Sequence, residues 1–395
     1  MLTKIILDNF KLYKESTSFD NLKQVNILTG INGRGKSTFL QSLLLMKQSI
    51  LQNIHTTSLL LNGDYISLGN AFDVKNINVS RNKPICFEFY QEEYGIHYLF
   101  DAQENKQQLE LSTCFLSDSH GNILSPFFAK DKKQIPMLNL LPALQTPFNT
   151  FFANIQYISA ERLGPQLHYP ISNDKRIVGA KGEYAASQFH FHQSEILPKA
   201  YFEELENIFD EIDIDFVDKT IGGQVEFWLS KMFASTTIET SFVEEANVVT
   251  LKMSTVQNGP NRMKTTNVGF GYTYVFPILI AGLTGKENDT FIIENPEAHL
   301  HPAAQSIIAK FLALISQLGI QVFVETHSEH ILNAFRVLMA QRCLTKEDIK
   351  IMFFDQFENG YYETIEIKDN GKIINWPPYF FDQSERDLNI LLGGL

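Results

Sequence analysis

The residues best suited to chemistry lie in a glycine-rich segment near the start of the chain, residues 30–37, with the sequence GINGRGKS. Its spacing fits G-x-x-x-x-G-K-[ST], and it stands between a predicted strand and a predicted helix, which is the context that such a loop requires. Glycines let the backbone turn tightly, so that successive N–H groups point at phosphate oxygens, and the following helix N-terminus adds positive potential. We therefore expect a phosphate-binding loop in which Lys36 neutralises the β- and γ-phosphates and Ser37 ligates Mg²⁺.

A second segment, residues 291–302 with the sequence FIIENPEAHLHP, supplies acids at the end of a predicted buried strand. Glu294 takes the position of the acid that holds magnesium through a water molecule. Asn295 takes the position of the general base, although an amide cannot accept a proton at neutral pH. Glu297 follows two residues later, and it either accepts the proton or only complements the approaching helix N-terminus.

A third segment, IQVFVETHS at residues 320–328, ends another predicted buried strand in polar residues that include Glu325 and His327. His327 could reach the γ-phosphate by a hydrogen bond and report its presence, or it could be an ordinary loop histidine. His299 and His301 could be taken for zinc ligands, but no Cys, His or Asp partner stands at ligand spacing.

Composition is typical of a globular chain, since 44% of the 395 residues are hydrophobic and 20% are charged. The formal net charge is -12, so a general attraction to nucleic acid is not expected, although a local basic groove remains open. The three cysteines lie far apart, form no ligand pattern and indicate a reducing compartment. We expect a soluble cytoplasmic protein, because the start does not have the pattern of a signal peptide and the longest apolar run, at residues 275–283, is too short to cross a bilayer.

Hydrophobic patterning divides the chain into a core formed by both ends and an insertion between them. Unbroken apolar strands alternate with helices in residues 1–55 and 265–395, which predicts an α/β core with a parallel sheet covered on both faces. Residues 56–264 are predicted to form an inserted α+β lobe that includes the segment 156–165. Within this lobe LPKAYFEELENIFDEI indicates a helix, and ICFEFY, YGIHYLF, VEFWLS and NVVTLKM indicate strands.

Three stretches in this order, GINGRGKST, ENPEAHLHP and VETHSEHIL, resemble the ABC-type ATPase heads of the RecF/SMC group. Within that group the chain resembles AAA-family ATPases like the OLD (overcoming lysogenization defect) proteins of bacterial phage-defence loci. Residues 156–165, 267–283 and 375–383 resemble the same subgroup. The resemblance implies a P-loop NTPase fold with an ABC/SMC-head-like mixed parallel sheet flanked by helices, and it implies ATP and Mg²⁺ as cofactors.

Carried over residue by residue, the resemblance assigns roles at the site. Glu294 matches the Walker B acid and ligates the metal together with Ser37, and His327 matches the switch histidine. Asn295 departs from the usual catalytic Glu. The Walker A loop, which begins at Gly30, binds ATP through Asn32, Gly33, Arg34, Gly35, Lys36, Ser37 and Thr38.

Heads of this group bury two ATP molecules between two subunits, so the resemblance also implies a homodimer with shared ATP sites. Each ATP rests on one subunit's Walker A loop and meets the other subunit's signature loop. Residues 267–274, with Gly269 and Gly271, resemble that signature loop. The loop departs from the usual Ser-Gly-Gly pattern, and Tyr272 and Tyr274 are bulky.

Together these features predict tight Mg-ATP binding and slow hydrolysis, because a missing general base typically costs about 10²–10⁴-fold in rate. The resemblance implies an ATP-gated dimeric switch or scaffold for an effector protein, a nuclease or another toxin, in bacterial antiviral defence. The alternative is a DNA-binding ATPase head of a repair or nuclease complex. OLD-type proteins carry a Toprim nuclease for which the residues after Ile349 leave no room, so no intrinsic nuclease is expected. The weak basic cluster at Lys130, Lys132 and Lys133 is typical of a solvated loop.

Overall fold

The computed structural model of the protein describes residues 1–52, 57–92, 94–103, 106–118, 121–128, 151–172, 177–209, 211–233, 235–255, 262–357 and 360–392. In chain order the described strands are β1 (Lys4–Asp8), β2 (Thr17–Phe19), β3 (Val25–Gly30), β4 (Ser58–Leu60), β5 (Ile85–Tyr90), β6 (Tyr94–Asp101), β7 (Gln108–Asp118), β8 (Ile123–Phe128), β9 (Ile155–Ile158), β10 (Tyr169–Pro170), β11 (Thr236–Val243), β12 (Val248–Thr255), β13 (Met263–Lys264), β14 (Thr290–Glu294), β15 (Gln321–Glu325), β16 (Ile349–Phe357) and β17 (Gly360–Ile365). The described α-helices are α1 (Lys36–Gln52), α2 (Ala185–His192), α3 (Lys199–Ile208), α4 (Ile221–Met232), α5 (Phe270–Leu283), α6 (Pro302–Gln317), α7 (Glu329–Ala340) and α8 (Gln383–Leu391).

A six-stranded sheet with the order β17-β16-β3-β15-β14-β9 forms the centre of the molecule. Its neighbouring strands are parallel except β16 and β17, which pair antiparallel at one edge. Strands β14 and β15 are buried along almost their whole length, as expected for strands covered on both faces. The predicted α/β fold with a mixed, mostly parallel sheet flanked by helices is confirmed.

The two faces of the central sheet pack against different layers. Side chains alternate along a strand, so Phe323 of β15 lies on one face and Val322 and Val324 lie on the other. Phe323 belongs to a core shared with α1 and a seven-stranded antiparallel sheet, which has the order β2-β1-β5-β6-β7-β4 with β8 beside β7. Val322 and Val324 belong to a second core that includes α2 to α7 and the small sheet β10-β12-β11 with β13.

The boundary between core and insertion differs from the predicted division at two places. Strand β9 lies within residues 56–264, yet it pairs in parallel with β14 and forms an edge of the central sheet. Strand β1 lies within residues 1–55, yet it pairs with β5 in the antiparallel sheet. Both strands are short and apolar, so their pattern predicts a strand without indicating which sheet it joins.

The strand predicted from VEFWLS is wrong, because these residues lie within helix α4. Thr220 caps the helix, its side chain accepting a hydrogen bond from the Gly223 N–H. The buried positions of this helix recur at the spacing of a helical face, namely Ile221, Gln224, Val225, Trp228, Leu229 and Met232. The aromatic and β-branched residues of VEFWLS favour a strand, whereas the spacing of the buried positions over the whole of α4 specifies a helix.

The helix predicted from LPKAYFEELENIFDEI is confirmed as α3 (Lys199–Ile208), and the strands ICFEFY, YGIHYLF and NVVTLKM are confirmed as well. Among the described residues, no helix is both long and apolar enough to span a membrane. The predicted loop cluster at Lys130, Lys132 and Lys133 lies outside the described residues.

Phe323 offers a test of the central sheet's packing. Its side chain is 0% exposed, and its ring lies 5.8 Å from that of Phe39 on α1. Phe323→Ala should lower the free energy of unfolding by about 3–5 kcal/mol, because it opens a cavity between sheet and helix. Urea unfolding would measure the change. Phe216→Ala is the control, since that side chain is 88% exposed and its loss should cost less than about 0.5 kcal/mol. Equal losses in the two variants would contradict the described core.

Candidate active site

The register of three parallel strands brings the predicted site together. Glu325 at the end of β15 pairs with Leu28 of β3 on one side and with Glu294 of β14 on the other. Since the carboxyl ends of parallel strands meet at one edge, the glycine loop after β3 and both acids lie at the same edge. This edge of the central sheet is therefore the candidate active site.

The glycine loop has the backbone shape of a phosphate cradle. Gly30, Gly33 and Gly35 have φ values of +120°, +76° and +113°, a region that side chains rarely adopt. A Cβ at Gly30 would lie 2.2 Å from the Phe354 carbonyl oxygen, whereas a Cβ at Gly33 would meet nothing within 4 Å. Open space beside Gly33, next to the N-terminus of α1, fits an anionic group.

Lys36 and Ser37 take the positions that phosphate and metal binding require. The Lys36 ammonium donates hydrogen bonds to the Gly30 and Ile31 carbonyls at 2.9 and 3.0 Å. Burial lowers the pKa of Lys36, and the nearby Glu325 charge opposes this shift. The exposed Ser37 donates its hydroxyl hydrogen bond to the Glu325 carboxylate, with oxygen–oxygen distances of 3.2 and 3.3 Å.

The remaining residues predicted for the loop have distinct surroundings. Asn32 is exposed, and Thr38 is buried in the first turn of α1. Arg34 is half-buried, with its Nε 3.8 Å from a carboxylate oxygen of Asp355. The structure thus places Asn32 at the mouth of the loop and Thr38 in the packing beneath it.

Two acids, Glu294 and Glu325, are register partners at the ends of neighbouring strands, and Glu325 contacts Ser37. Burial raises the pKa of Glu294, whose carboxylate accepts a hydrogen bond from the Ala160 N–H at 3.3 Å. Burial and the neighbouring Glu294 charge raise the pKa of Glu325 to about 7. A hydroxyl and two carboxylates offer only oxygen ligands, which fits Mg²⁺. Among the described residues, no group of three or more His, Cys, Asp or Glu side chains could hold a metal, so water or phosphate would have to supply further ligands.

Asn295 occupies a strained turn directly after β14. Its φ is +44°, in the left-handed region that Asn tolerates better than most residues. Its N–H donates to the Glu325 carbonyl at 2.8 Å, and its buried side-chain oxygen accepts no hydrogen bond from any described residue. A fixed amide oxygen with free acceptor capacity can orient a water molecule, but it cannot take the proton from that water.

Glu297 links this turn to the turn that carries His327. One carboxylate oxygen accepts from the Thr326 hydroxyl at 2.9 Å, and the other accepts from the His327 N–H at 2.8 Å. Glu297 therefore does more than complement a helix N-terminus. His327 is exposed, and partial burial together with the Lys36 charge lowers its pKa, which favours the neutral imidazole at neutral pH.

The signature-like segment lies beside the turn after β14. Gly269 precedes helix α5, and Gly271 lies in its first turn. A Cβ at Gly271 would lie 3.0 Å from the His299 carbonyl oxygen, and the Tyr274 ring is 4.5 Å from the His299 ring. A Cβ at Gly269 would meet nothing within 4 Å, so the backbone there is open to a close approach.

The sequence assigns no role to Arg162 or Glu325, although both contact predicted site residues. Arg162 is 3% exposed and donates through Nη2 to the carbonyls of Glu294 and Asn295. Its guanidinium also stands 5.7 Å from the centre of the Tyr274 ring, and burial lowers the pKa of Arg162 to about 10. Arg162 lies within residues 156–165, a segment for which the sequence offers only a resemblance. An acid that ends an otherwise apolar strand was the available signal for Glu325.

Substitution of Arg162 tests whether it holds the turn after β14. Lys cannot replace the geometry of a guanidinium that spans two carbonyls, so Arg162→Lys should let Glu294 and Asn295 shift. We expect the kcat for ATP hydrolysis to fall about 10–100-fold with ATP affinity changed less than about threefold, because small misplacements are costly in the transition state. Arg262→Lys, at an exposed ion pair with Glu239, is the control. An unchanged kcat in Arg162→Lys would contradict this role.

Comparison with known proteins gives two family matches. Residues 183–332 match a family model described as an AAA ATPase domain, a range that contains Glu294, Glu297 and His327. Residues 344–391 match a model described as a protein of unknown function (DUF3696). No curated protein matches the chain.

Two solved structures of SMC heads align with most of the chain at 11% identity. A head bound to the C-winged helix domain of ScpA covers 92% of this chain and 98% of its own, with a TM-score of 0.49. The SMC head domain from Thermotoga maritima covers 93% and 99%, with a TM-score of 0.42. Both TM-scores lie below 0.5. The family match extends over residues 183–332, and the glycine loop at residues 30–37 lies outside it.

Proposed function

We propose that the chain is an ABC-type ATPase that binds Mg-ATP tightly, hydrolyses it slowly and acts as a nucleotide-gated dimeric switch. One observation supports the proposal most strongly. The glycine loop, with Lys36 and Ser37, lies at the same edge of the sheet as the strand-end acids Glu294 and Glu325. Asn295, an amide, takes the position of the general base. Phosphoryl transfer depends chiefly on positioning and charge stabilisation, which these residues can provide without covalent chemistry.

Slow hydrolysis follows from what stands near the attacking water. The Asn295 side-chain oxygen is free to orient water but cannot become the proton acceptor. Glu297 is the alternative proton acceptor, and both of its carboxylate oxygens already accept hydrogen bonds from Thr326 and His327. Accepting the proton would weaken one of these bonds, so proton removal is slow and the ATP-bound state persists.

A dimer that shares its ATP sites supplies the switch. Gly269 has open space beside it at the N-terminus of α5, a place where a partner's phosphate could approach the backbone. If ATP binds the closed pair a hundredfold better than the open pair, it biases the equilibrium by about 2.7 kcal/mol. That bias is sufficient to gate a partner that recognises only the closed pair.

The partner we propose is an effector protein, a nuclease or another toxin, restrained or released in bacterial antiviral defence. This part of the proposal rests on the resemblance of the glycine loop and the two strand-end segments to OLD-type ATPases. A DNA-binding head of a repair or nuclease complex is the second candidate. The net charge of -12 favours a protein partner over a nucleic acid.

Particle mass tests the dimeric switch. With ATP and Mg²⁺ the mass should double relative to the nucleotide-free chain, because each ATP is gripped by two subunits. ADP with Mg²⁺ is the control and should leave the mass unchanged, since it lacks the γ-phosphate. Mass photometry would measure both. A particle that keeps the same mass in all three conditions would exclude a nucleotide-gated dimer.

Steady-state turnover tests the assignment of the slow step. Asn295→Glu should raise the rate of ATP hydrolysis by about tenfold or more, because it restores a carboxylate general base. Glu297→Gln should lower the rate by a similar factor. Asn288→Glu is a matched control, since Asn288 is an exposed Asn that also has a positive φ, +70°. Rapid wild-type turnover that is insensitive to Glu297→Gln would refute the assignment.

A further inference from the structure

Glu325 lies between the glycine loop and the acid of β14, because β15 lies between β3 and β14. The Ser37 hydroxyl donates to its carboxylate at 3.2 Å, and the Asn295 N–H donates to its carbonyl at 2.8 Å. Its register partner on the adjacent strand is Glu294, so the two carboxylates leave the sheet on the same face. The Ser37 hydroxyl and the carboxylates of Glu294 and Glu325 therefore offer oxygen ligands for a metal from three different segments of the chain.

The charge of Glu325 is only partly offset by its surroundings. Its side chain is 8% exposed, and among the described residues no Lys, Arg or His forms an ion pair with it. The Lys36 ammonium, whose charge acts on Glu325 without an ion pair, donates its hydrogen bonds to the Gly30 and Ile31 carbonyls. Placing a buried acid beside a second acid is costly unless a cation binds between them.

We propose that Glu325 is a direct ligand of the divalent cation, beside Ser37 and together with Glu294. The proposal deepens the proposed function, on which it rests, by adding a second carboxylate to the magnesium site. In a site with one acid the cation is held largely by the nucleotide's phosphates. Two carboxylates and a hydroxyl make a site that also binds the cation before the nucleotide arrives.

The ligand chemistry selects a hard cation. Oxygen donors from a hydroxyl and two carboxylates favour Mg²⁺ or Mn²⁺, whereas zinc and copper sites use the nitrogen and sulfur ligands of His and Cys. Water completes the coordination in the absence of nucleotide. Phosphate oxygens replace part of that water when ATP binds.

A titration of Mn²⁺ into the nucleotide-free protein tests this inference, with free Mn²⁺ followed by electron paramagnetic resonance. The wild type should bind one Mn²⁺ per chain. Glu325→Gln should weaken that affinity by at least about tenfold, because it removes a charged ligand and keeps the size of the side chain. Glu347→Gln is the matched control, since Glu347 is an exposed acid that precedes β16 and pairs with Lys23. Circular dichroism would check that each variant is folded.

The outcomes separate this inference from the proposed function. Equal Mn²⁺ affinity in the wild type and Glu325→Gln would mean that Glu325 only accepts a hydrogen bond from Ser37, and would overturn the inference. A wild type that binds no Mn²⁺ without nucleotide would overturn it as well. Mn²⁺ binding that depends on Glu325, in a chain that binds no ATP, would uphold the metal site and refute the proposed function.

Discussion

The parallel register of β3, β15 and β14 is the constraint on which the site depends. It places the end of the glycine-loop strand and two strand-end acids at one edge of the sheet, within reach of Ser37. A shift of register by one residue would turn each acid to the opposite face. Buried apolar side chains on both faces of β14 and β15 fix that register. The packing of the core therefore determines the geometry of the site.

The site stores unfavourable arrangements that the surrounding structure has to hold in place. Asn295 and His299 both have positive φ values, +44° and +62°, and the buried Glu325 lies beside the half-buried Glu294. Strain and desolvation of this kind persist where neighbouring contacts fix the local conformation. Arg162 binds the carbonyls of the turn after β14, and Glu297 ties that turn to the turn after β15. A bound cation would offset the negative charge of the two acids.

The sequence predicts site residues that lie together in one segment of the chain. It does not predict site residues whose position depends on the order of strands in the sheet. The glycine loop, Glu294 and His327 each follow an apolar strand, and the pattern of each segment indicates its position. Glu325 lies between the glycine loop and Glu294 only because β15 lies between β3 and β14, and no local sequence pattern specifies that strand order. Arg162 contacts the turn after β14 from more than a hundred residues away in sequence. The helix over VEFWLS shows a related error, because six residues favour a strand whereas the helical spacing of the buried positions across the 12 residues of α4 specifies a helix.

The central claim is that the glycine loop and Lys36 bind a triphosphate, and the affinity of Lys36→Ala for ATP tests it most directly. Equilibrium titration with a fluorescent ATP analogue and Mg²⁺ would compare this variant with the wild type and with Lys199→Ala, whose lysine is exposed and pairs with Glu203. Loss of a charge-assisted contact should weaken binding about 10–100-fold in Lys36→Ala alone. Wild-type affinity in Lys36→Ala would contradict the account.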